Sequence, residues 1–130
     1  MTDTKHQKPT KIESEKLYTK TEAWVLNPED LDLESDDWWN KAIFHSPDND
    51  TPAIVVKSIE TGNAILWEWY KEGNLHREND LPSIENISGS KWWYNNGKKH
   101  RGNKKPAVIC HDHEEYWTNG KNPQKEKRKK

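Results

Sequence analysis

The feature that most constrains this chain is a set of six residues that recurs at a constant offset of 24 positions. Its two full copies are Trp69, Tyr70, Gly73, His76, Arg77 and Pro82, followed by Trp93, Tyr94, Gly97, His100, Arg101 and Pro106. Partial copies flank them, namely Trp39, His45, Pro52, Ala53 and Ile54 before, and Tyr116-Trp117 with Gly120-Lys121 after. The pattern indicates one supersecondary unit that is repeated and that buries its apolar face against its neighbours.

Each copy has the pattern of a β-hairpin unit. An aromatic-rich stretch, 66–70 or 90–94, is typical of a strand, and a turn containing glycine follows it. In the second full copy that turn is Asn96-Gly97, a pair that accepts the positive φ angles of a tight hairpin. The closing proline can begin a strand without losing a ladder hydrogen bond. The sequence therefore predicts a mainly β fold, an antiparallel meander of hairpin repeats with an irregular or partly helical N-terminal segment.

The repeats occupy part of the chain, and four segments are predicted. Residues 1–17 are polar and are expected to form a disordered arm, and 18–37 to form an N-terminal cap with an acidic segment. The β-hairpin repeat module is placed at 38–121, and residues 122–130 form a basic tail. The tail is interpreted either as a solubilising extension or as a nuclear-localisation or nucleic-acid-binding segment.

Composition favours a thin, aromatic-rich sheet over a thick aliphatic core. Only 30% of the residues are hydrophobic and 33% are charged, but the chain contains 8 Trp. Each buried aromatic side chain removes about 150–250 Å² from water, so a few of them replace many aliphatic residues.

The single cysteine, Cys110, excludes an intramolecular disulfide and favours a reducing compartment. Since no apolar run has transmembrane length, we expect no membrane partner and a cytoplasmic protein, or a nuclear one if the tail is a localisation signal.

The second full copy also resembles a known type of repeat. Its residues Trp93-Tyr94-Asn95-Asn96-Gly97-Lys98-Lys99-His100-Arg101 and Pro106-Ala107 resemble tandem repeats of phage, giant-virus and bacterial proteins, which are similar in style to MORN-type hairpin repeats. The preceding copy departs from that consensus at Asn74 and Ser83. The resemblance covers residues 66–121 and implies a β-hairpin array with an interaction role and without a defined reaction.

Ten residues of the repeats are the candidate binding residues. Their rings could stack on a ligand, and their His-Arg pairs could donate to phosphate or carboxylate. They are Trp67, Trp69, Trp92, Trp93, Tyr94, Trp117, His76, Arg77, His100 and Arg101. The alternative is that the rings form the core, that His bonds to the backbone and that Arg packs on Trp. Adjacent rings of a strand point to opposite faces, so one ring of each pair, Trp38-Trp39 and Trp92-Trp93, is expected to be exposed at least in part.

A run of potential metal ligands lies near the C-terminus, from Cys110 to Glu115. On a strand, His111 and His113 would share one face at a spacing able to hold Zn²⁺. The sequence offers no second well-spaced ligand pair, so neither a metal nor another cofactor is predicted. Nothing supplies the rest of a site for a Cys110 nucleophile, and no enzymatic activity is predicted.

The leading hypothesis is a non-catalytic protein-interaction module. Its exposed aromatic face and its acidic segment would engage another protein, which in a phage-like or viral setting would be a host factor. The second hypothesis is a carbohydrate- or nucleic-acid-binding module that uses stacking Trp rings and His-Arg donors. Unpaired sheet edges also allow a homodimer.

Overall fold

The protein, seen in a computed structural model that describes residues 8–123, is built around one antiparallel sheet of eight strands. In spatial order they are β1 (Thr10–Glu15), β2 (Thr19–Val25), β3 (Ile54–Ser58), β4 (Ala64–Glu68), β7 (Ile84–Asn86), β8 (Lys91–Trp92), β11 (Val108–Cys110) and β12 (His113–Glu115). Two small ladders pair β5 (Tyr70–Lys71) with β6 (Asn74–Leu75) and β9 (Tyr94–Asn95) with β10 (Lys98–Lys99). The predicted mainly β, antiparallel meander of hairpins is confirmed.

The N-terminal boundary of the sheet differs from the sequence prediction. The disordered arm predicted for residues 1–17 does not extend over Thr10–Glu15, because these residues form β1 and pair with β2 along their whole length. Ile12 is the apolar residue of this edge strand and packs against the core. The backbone ladder thus holds a strand whose side chains are mostly exposed. Residues 1–7 of the predicted arm and 124–130 of the predicted tail lie outside the described residues.

Cross-strand pairing gives the sheet two faces, since directly opposed residues point to the same side. One face, here called the insertion face, carries the row Ile12, Ala23, Ile54, Glu68, Ile84, Trp92, Val108 and Glu115. The other, called the Trp67 face, carries the row Glu13, Glu22, Val55, Trp67, Glu85, Lys91, Ile109 and Glu114.

A long segment between β2 and β3 supplies the main hydrophobic core. Residues 26–44, here called the insertion, contain two 3₁₀ turns, Pro28–Asp30 and Trp38–Asn40. The insertion packs Trp38 and Phe44 against the insertion face, with their rings 6.1 Å apart in an edge-to-face arrangement. This partly helical segment agrees with the irregular N-terminal part that the sequence predicts.

One buried amide fixes the path of the insertion. Asn27 donates from Nδ2 to the carbonyl of Lys41 at 2.8 Å and accepts at Oδ1 from the backbone N–H of Ile43 at 2.8 Å. Both ends of the insertion are therefore joined by a single side chain that is itself buried. Such a doubly bonded amide adds to the backbone pairing at the base of the insertion, where the N–H of Leu26 donates to the carbonyl of Ile43 at 2.9 Å.

Candidate binding clefts

Two backbone hydrogen bonds recur at each full copy. The N–H of Trp69 donates to the carbonyl of Ser83, and 24 positions later that of Trp93 donates to Ala107, both at 2.7 Å. The carbonyl of each tryptophan then accepts from the histidine seven positions on, His76 at 3.0 Å or His100 at 3.1 Å. The residue after each proline is buried completely, whether it is Ser83 or Ala107. The positions shared by the two copies thus make the same backbone hydrogen bonds.

The histidines join each copy to the next through a positive-φ turn. The acceptor is Nδ1 in each case, and the donors are backbone N–H groups of the following turn: Glu72 to His45 at 3.0 Å, Asn96 to His76 at 3.1 Å, and Asn119 to His100 at 3.0 Å. These turn residues have φ of 47°, 49° and 50° and precede glycines that also have positive φ. The two consecutive positive φ angles are those expected of the predicted tight hairpins.

The arginines of the predicted His-Arg pairs stack on the tryptophans. The guanidinium carbon lies 3.7 Å from the ring centroid of Trp69 for Arg77 and 3.8 Å from that of Trp93 for Arg101. Each arginine also donates to the carbonyl of the proline that ends its copy. The contacts are therefore those of the structural alternative, with His bonded to backbone and Arg packed on Trp. A ligand-binding role for His76, Arg77, His100 and Arg101 stays a prediction.

The predicted stacking rings differ in exposure. Trp69 and Trp93 are 4% and 6% exposed, so neither offers a free ring face. Trp67, Trp92, Tyr94 and Trp117 are half-buried. Within the pair Trp92-Trp93 one ring is buried and the other partly open, as the alternation of a strand requires. The ring that is most open among the described tryptophans is Trp39, at 58%, while its neighbour Trp38 is buried.

The first copy contains a tryptophan that the sequence pattern does not reveal. Trp24 donates its N–H to the carbonyl of Ala53 at 2.7 Å, and its own carbonyl accepts from His45 at 3.0 Å. These are the bonds that Trp69 and Trp93 make. The first copy therefore begins at Trp24, not at Trp39, and the insertion stands where the later copies have a tight turn.

Two glutamates at equivalent positions of the repeats have pKa shifts in opposite directions. Glu68 precedes Trp69-Tyr70 and accepts from the Tyr70 hydroxyl at 2.9 Å, but burial raises the pKa of its carboxyl. Glu115 precedes Tyr116-Trp117, and hydrogen bonds from His113 and from the Trp117 indole lower its pKa. Burial also raises the pKa of Tyr70, with a further contribution from Glu68.

A first cleft, here called the Trp39 cleft, opens between the insertion and the insertion face. Its volume is 330 Å³, and its lining is mainly apolar. The lining residues are Thr21, Trp38, Trp39, Asn40, Phe44, Ile54, Val56, Leu66, Glu68 and Tyr70. The half-buried carboxylate of Glu68 is thus part of an apolar cleft that carries an exposed tryptophan at its rim.

A second cleft, here called the Trp67 cleft, lies on the opposite face and has a volume of 490 Å³. Its lining residues are Asp50, Pro52, Val55, Trp67, Trp69, Glu85, Asn86, Gly89, Ser90 and Lys91. Two of them, Trp67 and Trp69, belong to the predicted binding set. The two clefts are separated by the sheet, because Trp67 and Glu68 are consecutive residues of one strand and point to opposite faces.

An apolar row at one end of the sheet is a surface that sequence reasoning missed. Leu17, Tyr18, Ile59 and Ile87 are 80%, 77%, 48% and 66% exposed. They lie at the turns that join β1 to β2, β3 to β4 and β7 to β8, and the N–H of Ile59 bonds to the carbonyl of Tyr18. Strand order could have suggested this row, because alternate turns of a meander fall at the same end.

The predicted metal-ligand run does not lie on one strand. Cys110 ends β11, His111 and Asp112 form the turn, and His113 begins β12. His111 is exposed, while His113 is within 2.6 Å of a Glu115 carboxylate oxygen. Within residues 8–123, no three His, Cys, Asp or Glu side chains are grouped so as to hold a metal ion.

The described part of the chain has no helix with the length and apolar character needed to cross a membrane. Comparisons with protein-family models, with curated proteins and with solved structures found no match to this chain.

Proposed function

We propose that this chain is a non-catalytic protein-interaction module that binds its partner in the Trp39 cleft. The partner segment would be basic and would carry a large apolar side chain. The observation that carries the proposal is a carboxylate, Glu68, set in an apolar cleft beside the exposed ring of Trp39. A Lys or Arg side chain has an apolar stem for the cleft and a cationic end for Glu68.

The electrostatics of the cleft support a cationic occupant. Burial raises the pKa of Glu68, because the hydrogen bond from Tyr70 compensates its ionised form only in part. A cation of the partner would supply that compensation. The Tyr70 hydroxyl, which already donates to Glu68, would hold the carboxylate in place.

The charge of the insertion, which supplies Trp38, Trp39 and Asn40 to the cleft, also favours a basic partner. All six acidic residues of the insertion are exposed: Glu29, Asp30, Asp32, Glu34, Asp36 and Asp37. Lys16 pairs with Asp36 at 2.6 Å. With only Lys41 as a basic residue, the insertion is predominantly acidic. This charge would steer a basic segment toward the cleft and would oppose the approach of nucleic acid.

The sequence resemblance supports an interaction role, since MORN-like hairpin repeats imply an array without a defined reaction. A host factor as the partner, and a cytoplasmic setting, belong to the same proposal. The nucleic-acid alternative has less support here, because Arg77 and Arg101 are stacked on tryptophans and bonded to backbone carbonyls.

Selection of random peptides on the immobilised protein tests this proposal. We expect enrichment of Lys or Arg next to Trp, Phe, Leu or Met, with affinity that falls as salt rises. Trp39→Ala should lower the affinity for the selected peptides by about tenfold or more, as expected for an aromatic anchor of an interface. Glu68→Gln should lower the affinity for the basic peptides selectively. Lys91→Ala, on the opposite face, is the matched control. Selection of acidic peptides, or equal binding by Trp39→Ala, would contradict the proposal.

A further inference from the structure

The Trp67 cleft combines a flat aromatic surface with polar groups of both signs. Val55, Trp67, Glu85 and Lys91 stand on four neighbouring strands and oppose one another in register. Neighbouring strands are about 4.8 Å apart, so a glutamate stands beside the tryptophan and a lysine stands beside the glutamate. Asn86 and Ser90 add an amide and a hydroxyl at the same cleft.

From this arrangement we propose that the Trp67 cleft is a binding site for a neutral pyranose sugar unit of a carbohydrate. A pyranose has an apolar C–H face that stacks on an indole and a rim of hydroxyl groups that both donate and accept. Acceptors are present at Asp50 and Glu85, and donors at Ser90, Lys91 and Nδ2 of Asn86, whose Oδ1 already accepts from Ser88 and Ser90. The cleft volume of 490 Å³ falls within the range of about 300–1,000 Å³ that small-molecule sites occupy.

The balance of charge favours a neutral ligand. The lining carries Asp50 and Glu85 against Lys91. Arg77 is not part of the lining, but its Nη1 lies 4.0 Å from Glu85 Oε2 and offsets part of the acidic charge. The cleft therefore has no excess of positive charge to attract a phosphate, and little acidic charge is left to attract an ammonium ligand. Among the described side chains, none donates a hydrogen bond to the carboxylate of Asp50 or Glu85 that would occupy it.

Two other ligand classes fit the cleft less well. A cage for a quaternary ammonium needs several free aromatic faces, but the guanidinium of Arg77 lies 3.7 Å over the ring of Trp69. A nucleic-acid strand would bring phosphates toward Asp50 and Glu85, and repulsion would oppose it. Trp67 therefore remains as one stacking surface with a polar border, which is the chemistry of a sugar subsite.

Titration calorimetry with cellohexaose, chitohexaose and maltohexaose tests the site on the full chain. We expect at least one of them to bind, and Trp67→Ala to weaken that binding about tenfold or more, since a stacking ring contributes on that scale. Because Trp67 is half-buried and its removal could unfold the sheet, Lys91→Ala and Glu85→Gln are the second pair of variants. These polar changes should weaken binding several-fold while the unfolding midpoint stays near that of the wild type.

The control separates this site from the peptide site on the other face. Trp39→Ala should leave sugar binding unchanged, just as Lys91→Ala should leave peptide binding unchanged. No binding of any of the three oligosaccharides at millimolar concentration would overturn the sugar proposal. Binding that is equal in the wild type, Lys91→Ala and Glu85→Gln would place the sugar elsewhere and would overturn it as well.

Discussion

The copy that begins at Trp69 and the copy that begins at Trp93 share their pattern residues, yet their tryptophans are held differently. The indole Nε1 of Trp93 donates to the carbonyl of Asp80 at 3.0 Å. The Nε1 of Trp69 is buried and has no hydrogen-bond partner among the described residues. The acceptor for Trp93 belongs to the loop of the preceding copy. A tryptophan's environment thus depends on the loop of the copy before it.

The same contrast extends to the arginines. Arg101 donates from Nε to the Asp80 carboxylate at 2.9 Å, so this contact is an ion pair. Arg77 donates from Nε to the backbone carbonyl of Asn49 at 2.9 Å, so the equivalent contact involves a neutral acceptor. Identical repeat residues therefore give one copy a pH-dependent contact and the other copy a pH-independent one. Four sets of substitutions test how far equivalent positions of the repeats differ.

The largest expected difference is between Trp93→Phe and Trp69→Phe. Both changes reduce ring packing, but Trp93→Phe also removes a made hydrogen bond, while Trp69→Phe removes a buried unpaired donor. We expect Trp93→Phe to lower the free energy of unfolding by about 1–3 kcal/mol more than Trp69→Phe does. Urea unfolding monitored by circular dichroism measures both. Equal losses would mean that Trp69 Nε1 has an acceptor in solution.

The glycine turns provide the second test. Gly73 and Gly97 have φ of 89° and 86°, so alanine is strained at both and should cost about 1–2 kcal/mol. An added Cβ at Gly97 would lie 3.3 Å from Oδ1 of Asn74, whereas at Gly73 the nearest atom, in Ile43, is 3.7 Å away. Gly97→Ala should therefore lower the unfolding midpoint more than Gly73→Ala. The reverse order would show that the Asn74 side chain moves freely.

The third test compares the equivalent glutamates by pH. Burial raises the pKa of Glu68, so ionisation of this carboxyl opposes folding. The stability of the wild type therefore declines as pH rises from the unfolded pKa of Glu68 to its higher folded pKa. Hydrogen bonds lower the pKa of Glu115, so its contribution is present above the unfolded pKa and is lost as pH falls through the lower folded pKa. Relative to the wild type, Glu68→Gln should gain stability on going from pH 3 to pH 7, and Glu115→Gln should lose it.

The smallest expected effect concerns the exposed ion pair of Arg101. The hydrogen bond from Arg101 lowers the pKa of Asp80, so the pair stabilises the fold above the unfolded pKa of Asp80 and is lost as pH falls through the lower folded value. Asp80 is 42% exposed, and we expect Asp80→Asn to cost about 0.2–1 kcal/mol at pH 7. Thermal unfolding at low and high salt measures this, with exposed Glu60→Gln as control. A loss that is independent of salt would argue against an ion-pair contribution.

Local chemistry made part of this fold predictable. The turn at Asn96-Gly97 was expected because these residue types accept positive φ, and its twin at Asn119-Gly120 has the same geometry. The packing of Arg77 on Trp69 was considered from the recurrence of the two types at a fixed spacing. Such contacts join residues that are close in sequence, so a recurring spacing can indicate them.

Longer-range features could not be read from the pattern. Trp24 escaped detection because the insertion separates it from His45, although the two share a backbone bond. β1 escaped because its polar sequence has one apolar residue, Ile12, and its stability comes from the ladder with β2. The two clefts depend on side chains that become neighbours only when distant strands pair, as Val55 does with Trp67.

The sequence alone predicted the hairpin turns, and it offered the packing of Arg on Trp and the bonding of His to the backbone as one of two interpretations. Both follow from φ preference and short spacing, which are local properties. The burial of Trp93, the exposure of Trp39 and the opposite pKa shifts of Glu68 and Glu115 came instead from the folded structure. Burial and pKa depend on which neighbours remove water from a side chain, and those neighbours come from other strands and from the insertion.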